Sequence, residues 1–464
     1  MDSTNQWQTP VTYVGTATSH FQSEPGNYDA SDWDREVRNK LNAQGRTCIK
    51  PDLKSAVLPA LLTNQAYYAK RSQELGCNMF RFSFDLPRLV PKRGYFNEAL
   101  MFEYIRFLVR LRLSGHEPLV TLHHFTMPKS LMTCGPRGKY THGAWEHPEV
   151  VRYFDEAIAR VVFYLKSPEK LREALKGAGF DRIQTEGLIE NGLVRYFMPF
   201  NEPGVTFGNS YLGGNFPPFK KGRVDLVYKT LGRMVDVHEI MTDTLRTLGV
   251  KYPNYVPKIG MGYNWQYFEG WGSSLLHAID HFYTRRFENR VQSDFIGLHY
   301  YCRLSTHLFG PSQKEREMSE HPLFGDVYPK GIFQLLTTMH RLYPDKPIMV
   351  SEIGFSEEAD WRRPFWILET VQYILEAKRK GIPVEAVLLW SLVNNLEWDL
   401  GLSQRFGLFW EAQLKSPLFE RKYLSSWQVW SAVAQALLNP SPQIEKEMQT
   451  LLERARKQYG SIRT

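Results

Sequence analysis

Short runs of β-branched and aromatic residues alternate along the chain with longer amphipathic stretches, the pattern that predicts parallel strands joined by crossover helices. Eight runs qualify: 11–17 (VTYVGTA), 78–84 (NMFRFSF), 117–124 (EPLVTLHH), 195–201 (RYFMPFN), 257–264 (PKIGMGYN), 294–301 (DFIGLHYY), 347–352 (PIMVSE) and 385–391 (EAVLLWS). Helical periodicity fills the gaps, for instance from Asn97 to Ser114 and from Trp361 to Lys380, the latter ending in a Gly381-Ile-Pro stop. Eight such units close most economically into a single α/β domain, a (β/α)8 TIM barrel with long βα loops spanning 1–464. A charged helical insertion at about 167–193 and a surface helix at about 443–458 read as peripheral additions. Long insertions follow the first, third and sixth strands, as Ser23 to Leu58 and Cys302 to Lys330 show, and loops of that length usually form functional walls.

Composition narrows the function more than the fold. Lys plus Arg number 57 against 49 Asp plus Glu, giving +8 without a long basic block, so no nucleic-acid partner is expected. The apolar runs, such as Ala386 to Leu396, fall short of the roughly 18 residues a membrane helix needs, so no membrane span is expected. The start MDSTNQWQTP carries no apolar signal core, and Cys48, Cys77, Cys134 and Cys302 show no C-x-x-C spacing. Together these point to the cytoplasm; a homo-oligomer is left open.

Several chemistries can be set aside. Adjacent His123 and His124 point to opposite faces of a strand and cannot chelate one ion. His238-Glu239 begins like a zinc-protease helix, but Thr242 stands where the second ligand belongs. Gly260-x-Gly262 runs on to Trp265 where a dinucleotide fingerprint needs glycine, and neither a Gly-Lys-Ser/Thr phosphate loop nor a G-x-S-x-G elbow occurs. No metal or cofactor is expected.

Two segments remain, FNEPGVTFGNSYLGGNFPP (200–218) and IMVSEIGF (348–355), each placing a glutamate where a strand meets its loop. A barrel carries its chemistry at those strand ends. A single such glutamate is more often a helix cap or an ion-pair member than a catalyst. Two of them, Glu202 and Glu352, meet the needs of glycosidic cleavage, one as a protonated acid and the other as an ionised nucleophile. Around them stand residues suited to a pyranose: Arg81 and Tyr300 as donors to the nucleophile, Gln22, His124, Asn201 and Glu397 for hydroxyls, and Trp390 and Trp398 as flat apolar faces.

These motifs resemble those of the family 1 β-glycosidases. The resemblance runs from about Val11 to about Leu437, through ATSHFQSEPG, FRFSFDLPRLVP, VTLHHFTMP, NEP, DFIGLHYY, SEIGF and WSLVNNLEWDLGLSQRFGLF, and is closest to the archaeal-type branch. It implies Glu202 as acid/base, Glu352 as nucleophile, Asn201 on the sugar 2-hydroxyl, Arg81 and Tyr300 supporting the nucleophile, and Gln22, His124, Trp390, Glu397 and Trp398 on the nonreducing sugar. The implied enzyme is a retaining, exo-acting glycoside hydrolase of the β-glucosidase/β-galactosidase type in carbohydrate metabolism. It would cleave unphosphorylated β-D-glucosides, galactosides or fucosides, because a carboxylate at 397 would repel a 6-phosphate. A transglycosidase using the same site, and a non-catalytic carbohydrate-binding barrel, are the alternatives. Ile353, Phe125, His299 and Asn394 depart from the family pattern, which commonly has Asn at 299. These departures bear on substrate fit, not on the catalytic pair.

Overall fold

The computed structural model describes residues 10–24, 30–33, 60–135, 140–270, 272–305, 327–357, 359–402, 404–410, 413–415 and 423–461. Eight parallel strands close into one barrel: β1 (Tyr13–Ala17), β2 (Met79–Ser83), β3 (Glu117–His123), β4 (Tyr196–Phe200), β5 (Lys258–Asn264), β6 (Phe295–Tyr300), β7 (Ile348–Ile353) and β8 (Val384–Trp390). Each pairs with its neighbours in sequence, and β1 closes the ring on β8 through Tyr13 opposite Ala386 and Ala17 opposite Trp390. The eight expected runs are these strands. The first begins two residues later than expected, because Val11 donates its amide to Leu437 outside the sheet.

Alternation within each strand divides its residues between two cores. Inward-facing Met79, Leu119, Tyr196, Met198, Phe295, Met349, Ala386 and Leu388 fill the barrel floor. Outward residues, such as Ile296 and Leu298, join the larger core against the helices. Above the apolar floor the inward positions turn polar, with Arg81, Thr121, His299 and Glu352, all buried. At β7 the ladder slips on both sides just before Glu352, where pairing with β6 jumps from Val350 to Glu352. That irregularity aims the glutamate, as bulges beside active sites commonly do.

The outer ring includes α1 (Gln65–Glu74), α2 (Glu98–Leu113), α3 (Val150–Lys166), α4 (Pro203–Phe207), α5 (Val224–Lys251), α6 (Ser273–Glu288), α7 (Gly331–Leu342), α8 (Arg363–Arg379), α9 (Ser426–Leu438) and α10 (Pro442–Ser461). In α2 the Asn97 side chain caps the Leu100 amide, and Leu100, Met101, Tyr104, Ile105, Leu108 and Leu111 form the buried stripe. Two further helices, Pro168–Leu175 and Arg182–Asn191, start at side-chain caps from Ser167 and Asp181. They lie on the flank of α2, where Arg106 donates to the Ala174 carbonyl at 2.7 Å, and line no part of the central pocket. α10 packs on α8 and α9. Most of the insertions after the first and sixth strands lie outside the described residues. Among the described residues no helix is long and apolar enough to cross a membrane.

Candidate active site

The C-terminal strand ends enclose a pocket of about 350 Å³, toward the small end of the ~300–1,000 Å³ range of small-molecule sites. Its lining includes His124, Asn201, Glu202, Tyr301, Glu352, Trp390, Glu397 and Trp398. Gln22 and Arg81 lie fully buried behind this wall.

Glu202 follows β4 and stands before the first turn of α4, with Pro203 fixing the helix start. Its backbone is left-handed (φ 45°), a conformation costly for a non-glycine residue and one that Phe125 (φ 69°) and Trp398 (φ 45°) share in the same pocket. Strain gathered at one mouth is a mark of function. Burial pushes the Glu202 carboxyl up to about 7, opposed by a hydrogen bond from Asn264 and by the charge of Arg81. Its Oε1 lies 2.6 Å from His299 Nδ1.

Glu352 receives different company. Arg81 Nη1 pairs with Oε1 and the Tyr301 hydroxyl donates to Oε2, so each oxygen has a donor. Arg81 is itself held rigid, giving Nε to Thr121 Oγ1 at 3.0 Å and Nη2 to Asn201 Oδ1 at 2.5 Å. One oxygen of each glutamate and one His299 nitrogen lie within 4.8 Å of one another. Such a trio could in principle hold a metal. Two ligands on one zinc ion, however, stand roughly 3.3 Å apart, whereas the 2.6 Å contact of His299 with Glu202 has hydrogen-bond length. The cluster is arranged for proton chemistry.

The sugar-facing candidates cluster on the opposite wall. Gln22 Nε2 donates to the Leu396 carbonyl at 2.7 Å and to Glu397 Oε2 at 3.3 Å. Glu397 is half-buried, and burial together with the Glu352, Glu202 and Asp399 carboxylates raises its pKa well above the usual range. His124 stacks between Trp390 and Trp398 (centroids 5.8 and 5.9 Å), and Phe125 meets Trp398 edge-on at 4.9 Å. His123 turns away into an aromatic nest of Trp145, Phe154 and Phe200. His238 is buried against Phe200 and Phe287, a packing role.

One expected donor is displaced. The Tyr300 hydroxyl donates to the Tyr328 carbonyl in the outer layer and does not reach Glu352; Tyr301 does. The reason is strand parity: Ile296, Leu298 and Tyr300 face the helices, while Phe295 and His299 face the lumen with Tyr301 after them. Counting by two along β6 from Phe295 through Gly297 and His299 to Tyr301 would have found the donor. Asn209, Asn215, Asn264, Gln266 and Asp399 also line the pocket without having been singled out. Asn264 ends β5, Asn209 and Asp399 lie in short helical turns, and Asn215 and Gln266 sit on loops, where periodicity carries no signal. Of the departures from the family pattern, Ile353 is core, and Asn394 accepts the Gly407 amide at 2.8 Å in a turn.

Two glutamates facing each other across the mouth of a parallel barrel define the class of carbohydrate-cleaving barrels. The glycosyl hydrolase family 1 model matches residues 65–172 and 278–436, more than half of the chain, and the protein belongs to that family. Among curated relatives, the chloroplastic galactolipid galactosyltransferase SFR2 of Arabidopsis thaliana is 24% identical over 73% of this chain, which spans about half (52%) of that protein's length. A β-galactosidase of Sulfolobus acidocaldarius is 23% identical, covering 88% of this chain and 91% of its own. The crystal structure of the Thermosphaera aggregans β-glycosidase superposes with a TM-score of 0.72 at 20% identity, covering 96% of this chain and 99% of that one.

Proposed function

We propose that the protein is a retaining, exo-acting β-glycosidase that hydrolyses unphosphorylated β-D-glucosides, galactosides or fucosides through a covalent glycosyl-enzyme. The observation carrying this reading is that Glu202 and Glu352 bring oxygens within 4.8 Å of each other across one small pocket. Carboxyl groups about 5–5.5 Å apart suit double displacement, whereas inverting enzymes keep them about 6.5–9.5 Å apart. The partners of the two groups support the division of labour. Burial favours a proton on Glu202, while Arg81 and Tyr301 donate to both oxygens of Glu352. In this reading Glu352 attacks the anomeric carbon as Glu202 protonates the leaving oxygen. Glu202 then takes a proton from the water that frees the sugar. Asn201, held by Arg81, would meet the 2-hydroxyl, and Gln22, His124, Glu397 and the two tryptophans the rest of the ring.

The test is azide rescue. Glu202→Ala and Glu352→Ala should each lose turnover severely, azide restoring it as the β-glycosyl azide from the first and the α-glycosyl azide from the second. The same anomer from both variants would count against the assigned roles.

A second reading, transglycosylation, draws support from the activity named for the Arabidopsis relative and from the partly apolar side of the pocket formed by Val205, Phe216 and Leu304. Product analysis with and without an alcohol acceptor separates the two. Glucose binding without nitrophenol release from any β-glycoside would instead indicate a non-catalytic barrel. A cytoplasmic setting is supported by free thiols at Cys77 and Cys134 and is tested by cell fractionation.

A further inference from the structure

His299 stands where the resembled family commonly carries asparagine, and its ring is enclosed on every side. It is fully buried, and at Gly262 on the neighbouring strand a Cβ would come within 2.8 Å of its Cε1 and Nε2, so only glycine leaves room for the imidazole. Nδ1 lies 2.6 Å from Glu202 Oε1 and 3.6 Å from Glu352 Oε1. Nε2 is buried with no hydrogen-bond partner among the described residues.

That asymmetry fixes the tautomer. A proton on Nε2 would leave a buried donor unsatisfied, which costs about 1–3 kcal/mol, whereas a bare Nε2 lone pair costs less. The proton therefore sits on Nδ1 and points at Glu202 Oε1. The ring stays neutral, since burial pulls its pKa down to about 3, opposed by Glu352 and reinforced by Arg81.

We propose that His299 is a positioning residue for the acid/base: its Nδ1–H occupies Oε1 of Glu202, so that the catalytic proton is carried on Oε2. This rests on the acid/base role proposed above and deepens it. When Glu202 gives up that proton to the leaving oxygen, the Nδ1–H···Oε1 contact becomes charge-assisted and strengthens, which aids the step that forms the glycosyl-enzyme. A donor to the ionised form lowers the pKa of Glu202, and so partly offsets its burial. The other groups facing this carboxyl are Asn264 on β5, Arg81 on β2, the Tyr283 ring from α6, and the Tyr301 and Glu397 side chains beyond β6 and β8; Glu352 and His124 face the imidazole. Asn264 also hydrogen-bonds this carboxyl, while the 2.6 Å contact at Oε1 is the one made by His299 Nδ1.

The test combines His299→Leu, which removes the donor, with His299→Asn, which keeps one. In the leucine variant the alkaline limb of kcat/KM should move upward by about one pH unit. Turnover of alkyl β-glycosides should fall at least about tenfold, while that of dinitrophenyl glycosides, which need no acid assistance, stays near wild type. The asparagine variant should recover most of the loss. On the wild-type protein, ¹⁵N NMR should show His299 neutral and protonated at Nδ1 across the active pH range. An Nε2-protonated tautomer, or equal losses on both leaving groups with an unmoved pH limb, would overturn the proposal while leaving the glycosidase reading intact. Wild-type protein inactive on every glycoside would remove both.

Discussion

As the proposed acid, Glu202 must hold a proton near neutral pH, and burial lets it do so at a cost to the fold. The folded carboxyl keeps its proton up to about 7, whereas the unfolded chain releases it near the ordinary 4.5. Between those values the native state binds more protons than the unfolded one, so stability falls as pH rises through this window and stays reduced above it. Glu202→Gln should therefore stabilise the protein by about 2–3 kcal/mol at pH 8 and by nearly nothing at pH 4, read from thermal or denaturant unfolding. A gain of equal size at both pH values would point to packing instead. The adjacent tyrosines give a second residue-scale comparison. Tyr301→Phe removes a donor to the Glu352 carboxylate and should lower kcat/KM roughly ten- to a hundredfold. Tyr300→Phe loses only its bond to the Tyr328 carbonyl and should cost about 1 kcal/mol of stability with kcat/KM within about twofold. Steady-state kinetics and melting of the two variants check the assignment. The sequence motif contained both tyrosines; only the pleat of β6 distinguishes them.

Strands aim the chemistry, and they do so because some lack side chains. A Cβ on Gly15 in β1 would lie 1.8 Å from the Met79 carbonyl oxygen of β2, and one on Gly297 in β6 would lie 2.3 Å from Met198 Cε. The obstacle at Gly15 is backbone, so the strand pair itself must part to admit a methyl group. Gly15→Ala should destabilise the barrel by about 1–3 kcal/mol or more, seen as a lower denaturant midpoint with the slope unchanged. At Gly297 the nearest obstacle is the end of a flexible methionine, but the Met261 carbonyl oxygen at 2.7 Å is backbone, so Gly297→Ala should also destabilise, by less than Gly15→Ala because the backbone approach is looser. The slipped pairing before Glu352 and the left-handed Glu202 are the other element-scale devices, each re-aiming a carboxylate that a regular strand would point elsewhere. Alternation in the sequence located both strands but carried no sign of either irregularity.

At the scale of the molecule, closing eight strands brings β2, β4, β6 and β7 to one mouth. Glu202 and Glu352 meet there from positions far apart in the chain, with Arg81 and His299 beside them. A third acidic side chain, Glu397, shares the pocket with Glu202 and Glu352, so a neutral or cationic sugar mimic suits the site better than an anion. An iminosugar of gluco or galacto configuration at a hundredfold excess over its Kd should add about 2.7 kcal/mol of stability and raise Tm in a concentration-dependent way. The shift should be lost in Glu397→Ala, and no shift with either configuration in the wild-type protein would count against the sugar site. The order of elements, the eight strands, the helices between them and the two glutamates at strand ends were all determined by the sequence. Hydrophobic periodicity and turn residues act locally, and so can be read locally. Which tyrosine reaches Glu352, which nitrogen of His299 carries its proton and which loop amides line the pocket were decided by the tertiary structure alone. Those outcomes depend on pleat parity, on what buries each atom and on contacts between residues whose separation along the chain leaves no local pattern.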